Sequence, residues 1–149
     1  MVSKNYFKRN NNRDKELLLQ RGIIASKFPE AKINVQSDRT IFELELQPSP
    51  VSPFYKVLIC YPKYGSIDVW ATVSNYENIK DKAIPHIYSK NDNKKRLRLC
   101  LYYGDEFKRG MSIAETLIPW AAEWLYFYEL WLASGKWLGG GIHGKNNNP

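Results

Sequence analysis

Cysteine and histidine are scarce in this chain: its 149 residues hold two of each, Cys60, Cys100, His86 and His143. Two distant cysteines make no disulfide framework, and ligands so dispersed show no metal-binding spacing. Long hydrophobic runs are missing as well, and none approaches the roughly 18 residues that span a bilayer. A phosphate-cradling loop is absent, because Gly139-Gly140-Gly141 joins no strand to a helix. The opening Met1-Val2-Ser3-Lys4-Asn5, followed by Asn10-Asn11-Asn12, is too polar for a secretory signal. These absences predict a cytoplasmic, thiol-reduced protein with no cofactor, no metal and no membrane partner. Acidic residues are the last shortfall: 15 Asp and Glu face 22 Lys and Arg, a net charge of +7.

What is present argues for one folded domain. Apolar residues make up 44% of the chain and aromatics 14%, enough for a single core and too little chain for two. The positive excess suits an acidic partner. Much of it lies in the first fifteen residues and between Lys90 and Arg98, where it reads as solvated decoration of an end and a loop. A nucleic-acid binder would rest on charge alone, with affinity falling steeply in salt. The aromatic run Trp120, Trp124, Tyr126, Phe127, Tyr128, Trp131 has helical spacing, whereas base-stacking platforms usually lie on sheets. No direct nucleic-acid contact is therefore expected.

Periodicity gives the organisation. Residues 1–12 form a polar basic N-terminal segment, loosely held. A helix is predicted from Arg13 to Phe28, with Leu17, Leu18, Ile24 and Phe28 near helical spacing and Pro29 as its stop. Four strands follow: Ile33–Gln36, the clear alternation of Thr40–Gln47, Phe54–Tyr61 and Ile67–Val73. The Pro48-Ser49-Pro50 loop and the Lys63-Tyr64-Gly65-Ser66 turn separate them. Short links imply an antiparallel meander. Between Ser74 and Arg98 no period fits, so that stretch reads as a long functional loop. Ser112 and Glu115 then suggest a capping box for a long helix whose face is Leu117, Ala121, Trp124, Leu125, Tyr128 and Leu132. Pro119 should kink or restart that helix, and Gly135 should stop it. The domain spans 13–138, and a Gly/Asn-rich tail covers 139–149. The fold class is α+β.

One residue invites chemistry. Cys100 closes the long loop in Leu99-Cys100-Leu101-Tyr102, and Lys90, Lys94, Lys95, Arg96 and Arg98 precede it. A thiol acts as its thiolate, which cations favour, so this position reads as a reactive nucleophile. Cys60, mid-strand with no charged or histidine neighbour in sequence, reads as structural. His86 has two readings: a general base for Cys100, or a structural residue that holds the loop. No convincing third group orients it, although Asp92 and Asp105 remain open. His143 sits in the tail and reads as solvated. Trp137 and the glycines after it either complete the fold or dock a partner.

His86-x-Tyr88 ahead of Leu99-Cys100-Leu101 resembles the active-site segment of ubiquitin-conjugating (UBC) enzymes. A closer likeness adds Gln47-Pro48-Ser49-Pro50 and the helix Pro119-Trp120-x-x-Glu123-Trp124-Leu125-Tyr126-Phe127-Tyr128-Glu129-x-Trp131. Together these resemble the ubiquitin-conjugating-enzyme-like proteins of short, type II CBASS antiphage operons. The likeness runs from about Thr40 to His143. It implies a UBC-like fold: N-terminal helix, four-stranded antiparallel meander, active-site loop, long C-terminal helix. It implies a partner, the cGAS/DncV-like nucleotidyltransferase (CD-NTase) of the same operon, joined covalently at its C-terminus through Cys100. It also implies that His86 and Tyr88 shape the cysteine loop, and that the linkage regulates cyclic-nucleotide signalling. The sequence departs from the pattern at the Asn that follows the histidine in conjugating enzymes, since Ile87 stands after His86 and Pro85 precedes it. Amide formation would then lean on backbone donors, on Tyr102 or on the partner. A non-catalytic scaffold on the same fold is the alternative. The final acceptor of the acyl group would be a lysine, either one of the chain's own beside the cysteine, such as Lys90, Lys94 or Lys95, or one on a partner.

Overall fold

The computed structural model of the protein describes residues 4–139, with side chains from residue 12 onward. A helix, α1 (Lys4–Lys27), leads into six strands: β1 (Lys32–Val35), β2 (Arg39–Leu46), β3 (Tyr55–Pro62), β4 (Asp68–Thr72), β5 (Ile87–Asn91) and β6 (Arg96–Leu99). A short helix, α2 (Tyr76–Ile79), lies between β4 and β5, and α3 (Leu117–Ser134) closes the order. All pairings are antiparallel, and the sheet runs β1-β2-β3-β4-β6-β5.

The alternation in β2 does what a period of two demands. Thr40, Phe42, Leu44 and Leu46 are buried, while Arg39 and Glu45 point out. In register with it, β3 buries Tyr55, Val57, Ile59 and Tyr61. β4 and β6 continue the same face with Val69, Ala71, Leu97 and Leu99. Ile24 of α1 and the α3 residues Leu117, Ile118, Ala121, Trp124, Leu125 and Tyr128 complete one core with them. The opposite face of the sheet, with Leu58, Cys60, Trp70, Arg96 and Arg98, is only half-covered.

Several expectations need correction. The sheet has six strands and not four, because Ser74–Arg98 is not a loop but α2 and the β5–β6 hairpin. The hairpin was hidden for two reasons. A register shift at Tyr88 breaks the period of two in β5. In β6 the polar positions are arginines, which read as a basic run although Leu97 and Leu99 are buried between them. The helix α1 begins at Lys4 and so takes in most of the segment expected to be loose. Leu18 is 66% exposed and Leu132 is exposed too, so both leave their predicted faces. Ser112 makes no side-chain cap: its carbonyl accepts from the Thr116 hydroxyl at 2.6 Å, and Glu115 pairs with Lys27 at 2.9 Å. Pro119 marks a restart, as read. A 3-10 turn (Ile113–Glu115) precedes α3, and the proline falls in its first turn, where an N–H would lack an intrahelical partner. Gly135 ends α3 at φ 75°, its N–H bonding to the Trp131 carbonyl at 2.8 Å.

Two polar ties hold the helices to the rest. Gln20, buried in α1, donates to the Met111 carbonyl at 2.8 Å and accepts from the Ile113 N–H at 2.9 Å. Glu129 of α3 accepts from the Ser52 hydroxyl at 2.8 Å and the Tyr55 hydroxyl at 3.0 Å, fastening the Pro-Ser-Pro loop. Removing one partner strands the others without water. Glu129→Ala should lower the unfolding free energy by about 2 kcal/mol in urea titration, while the exposed Glu123→Ala should change it by less than about 0.5 kcal/mol. Equal midpoints for the two variants would contradict this network.

Candidate functional site

Two backbone irregularities bring the predicted site residues together. His86 sits just before β5 in the left-handed region, at φ 55°, which an L residue adopts only under constraint. The constraint is visible at its carbonyl, which accepts the Cys100 N–H at 2.9 Å and the Trp124 indole N–H at 2.9 Å. The imidazole is buried, with its ring 5.1 Å from that of Trp137, and Trp137 lies 5.3 Å from Trp124. His86 therefore holds the cysteine segment with its backbone while its ring packs among tryptophans. Two residues later the register shift between Ile87 and Ser89 turns Tyr88 out of the regular ladder. The Arg98 guanidinium lies 4.8 Å over its ring, and burial together with the facing Cys100 thiol raises the Tyr88 pKa.

Cys100 itself is half-buried at the end of β6, its thiol directed to the Tyr102 carbonyl at 3.9 Å. The Tyr102 ring packs 5.2 Å from Phe107. A cleft is lined by Asp68, Tyr88, Arg98 and Tyr102 and by Leu99 and Leu101, the residues on either side of Cys100 in the chain. All four residues singled out from sequence, Cys100, His86, Tyr88 and Tyr102, thus gather in one place.

The electrostatics differ from expectation. The basic run does not lower the Cys100 pKa: burial pushes it up, the Tyr88 hydroxyl pulls it partly back, and Glu106 raises it further. The hairpin explains why. Lys94 and Lys95 lie in the β5–β6 turn, whereas Cys100 is at the other end, roughly 16 Å from Lys95 at the usual strand rise. Lys90 is spent on the Lys80 and Lys82 carbonyls, at 2.5 and 2.8 Å. The three lysines neighbour the cysteine in sequence and not in space, so the picture of them as acceptors beside it falls. Asp92 accepts from the Tyr76 hydroxyl, and Asp105 is exposed in a 3-10 turn. Cys60 lies on the half-covered sheet face, where Arg96, Asp68 and Arg39 all reach it, contrary to the uncharged surroundings read from sequence; burial still raises its pKa.

Sequence reasoning missed Trp124 as a donor to His86, Trp137 as its packing partner, and Glu106. Trp137 had one signal, an aromatic just past the Gly135 stop. It is held there by Gly139, where a Cβ would come within 2.8 Å of the Phe127 ring. Gly140, Gly141, His143 and the asparagines of the tail lie outside the described residues. Among the described residues no three His, Cys, Asp or Glu side chains converge to hold a metal ion, and no helix is long and apolar enough to cross a membrane.

A thiol held neutral ionises late. Alkylation of Cys100 by iodoacetamide, followed by peptide mass analysis, should keep accelerating with pH past the ordinary thiol range near ~8.5. A rate that levels off below pH 8 would show a depressed pKa and contradict this account.

A family model described as Type II CBASS E2 protein matches residues 20–144, most of the chain, and the protein belongs to that family. No curated protein matches it.

Proposed function

We propose that this type II CBASS E2 protein is a cysteine-dependent acyl transferase on a UBC-like fold, with Cys100 as its nucleophile. The order of helix, antiparallel sheet, cysteine segment and long helix supports that fold, with the β5–β6 hairpin as an enlargement of the active-site loop. The acyl donor is the C-terminal carboxylate of the CD-NTase encoded with it, presented in activated form as an adenylate or a thioester on another protein. The Cys100 sulfur attacks the carbonyl carbon, a C–S bond forms, the activating group departs with the carbon–heteroatom electron pair, and the thiol proton passes to solvent. A lysine amine then attacks the thioester. The C–N bond forms, the C–S bond breaks, and an amide and free Cys100 result. Such covalent attachment of the nucleotidyltransferase regulates its cyclic-nucleotide output.

The observation that carries this reading is the setting of Cys100. Its amide is pinned to the His86 carbonyl, its thiol is directed to the Tyr102 carbonyl, and the residues on either side of it in the chain line a cleft. The raised pKa is compatible with it, because a thiolate of higher pKa is intrinsically more nucleophilic and an activated donor needs little of it at any moment. His86, Tyr88 and Tyr102 shape the segment. The acceptor amine belongs to a partner, given where Lys90, Lys94 and Lys95 lie. The same raised pKa also suits a second reading, a non-catalytic scaffold that binds the CD-NTase without chemistry.

Intact mass of the protein co-expressed with its CD-NTase separates the two. The acyl transferase gives an adduct equal to both chains minus water, absent from Cys100→Ala and lost on thiol treatment, while an amide between the CD-NTase C-terminus and a partner lysine would survive that treatment without this chain. A non-covalent complex of equal yield from both forms, with no adduct, would leave the scaffold.

A further inference from the structure

Independently of any chemistry at Cys100, we propose that the cavity between α1 and the Arg39 end of the sheet binds a phosphate group. Several elements meet around it. Arg13 comes from α1, Arg39 from β2, Tyr61 from β3 with Lys63 just beyond it, and Arg109 from the loop ahead of α3. The cavity measures about 150 Å³, below the roughly 300 Å³ of ordinary small-molecule pockets. It therefore takes a compact ionic group and not a whole cofactor.

A buried phenol in the lining is what calls for a ligand. Tyr61 is 3% exposed, and its hydroxyl makes no hydrogen bond among the described residues. A hydroxyl this deep is nearly always paired, because burial strips its water. Phenylalanine would fill the same space, so packing leaves the oxygen unexplained. Arg109 and Glu16 both face the phenol, the guanidinium 4.3 Å from the ring centre, yet neither meets hydrogen-bonding geometry with its oxygen. Burial raises the Tyr61 pKa, so the hydroxyl keeps its proton and serves as a donor.

The cations around it are held in place by the fold. Arg13 donates to the Lys63 carbonyl at 2.5 Å, and Arg109 donates to the Gly65 carbonyl at 2.9 Å and to that of Pro62. Arg39 Nε donates to Gln36 at 3.1 Å. A guanidinium carries five N–H donors, so each of the three keeps several to spare. Arg109 Nε is itself buried without a hydrogen bond, with the Glu16 carboxylate at 3.8 Å. Four cations line the cavity against two carboxylates, Asp14 and Asp38. A positive lining with donors from separate elements suits a tetrahedral oxyanion, which accepts on every side. A carboxylate offers only two oxygens in one plane.

Calorimetric titration of the full-length protein with inorganic phosphate, at constant ionic strength, should show one saturable site. Acetate should show none. AMP distinguishes the sources: competition with phosphate means that the group arrives as a monoester, and no competition means the free ion. Tyr61→Phe keeps the ring and the Arg109 contact and removes only the hydroxyl. It should weaken phosphate binding roughly tenfold, with the melting temperature in phosphate-free buffer no lower than that of the wild type. Arg39→Gln, at an exposed position, should weaken binding as well. Absence of saturable phosphate binding overturns the proposal, as does Tyr61→Phe binding phosphate as tightly as the wild type. Acetate binding as tightly as phosphate overturns the tetrahedral assignment.

Discussion

One carbonyl oxygen organises this protein. A carbonyl has two lone pairs, and that of His86 uses both: one for the Cys100 N–H, one for the Trp124 indole. The first bond ties the β5–β6 hairpin together at its site end; the second ties that end to α3, the best-buried helix. Neither bond is available unless His86 adopts its left-handed backbone. The cost of that conformation is offset by burial of the imidazole beside Trp137 and Trp124. The cysteine is therefore placed by a joint between sheet and helix, and a rigid scaffold rather than a mobile loop presents the thiol.

From that joint the electrostatics of the site follow. A thiol half-buried between apolar neighbours loses hydration, and that desolvation outweighs the lowering effect of Tyr88. The cations that crowd Cys100 in sequence are spread by strand geometry to the far turn or to the open sheet face, where Arg96 covers Trp70 at 4.9 Å and Arg98 covers Tyr88. They shape the surface and hold rings in place. Tyr88 and Glu106 then act on the sulfur in opposite directions, the tyrosine lowering its pKa and the glutamate raising it.

Membership of the type II CBASS E2 family gives this geometry its setting, covering residues 20–144. It joins the two features that the chain keeps closest together: the cysteine segment and the aromatic helix beginning at Pro119. Their physical link is Trp124, which belongs to the helix motif and donates to the carbonyl that positions the cysteine. The same helix reaches the other end of the fold through Glu129, which fastens the Pro-Ser-Pro loop. Both stretches of the sequence likeness thus converge on α3.

Much of this was legible in the residues themselves. Period-two alternation located β1 to β4, Gly135 located the end of α3, and the resemblance carried by His86-x-Tyr88 and Leu99-Cys100-Leu101 picked out residues that lie on neighbouring strand ends. These are local properties, set by side-chain spacing and backbone freedom within a few residues. The β5–β6 hairpin was not legible, because one bulge removes the alternation and arginines over aromatic rings look like a solvated charge run. The capping box failed for a related reason: Glu115 found Lys27, far away in sequence, a better partner than its own helix end. The state of the thiol was beyond the sequence altogether. Its pKa depends on burial and on which charges come close in space, and only the tertiary structure decides both, by turning neighbouring lysines away and bringing Tyr88 in.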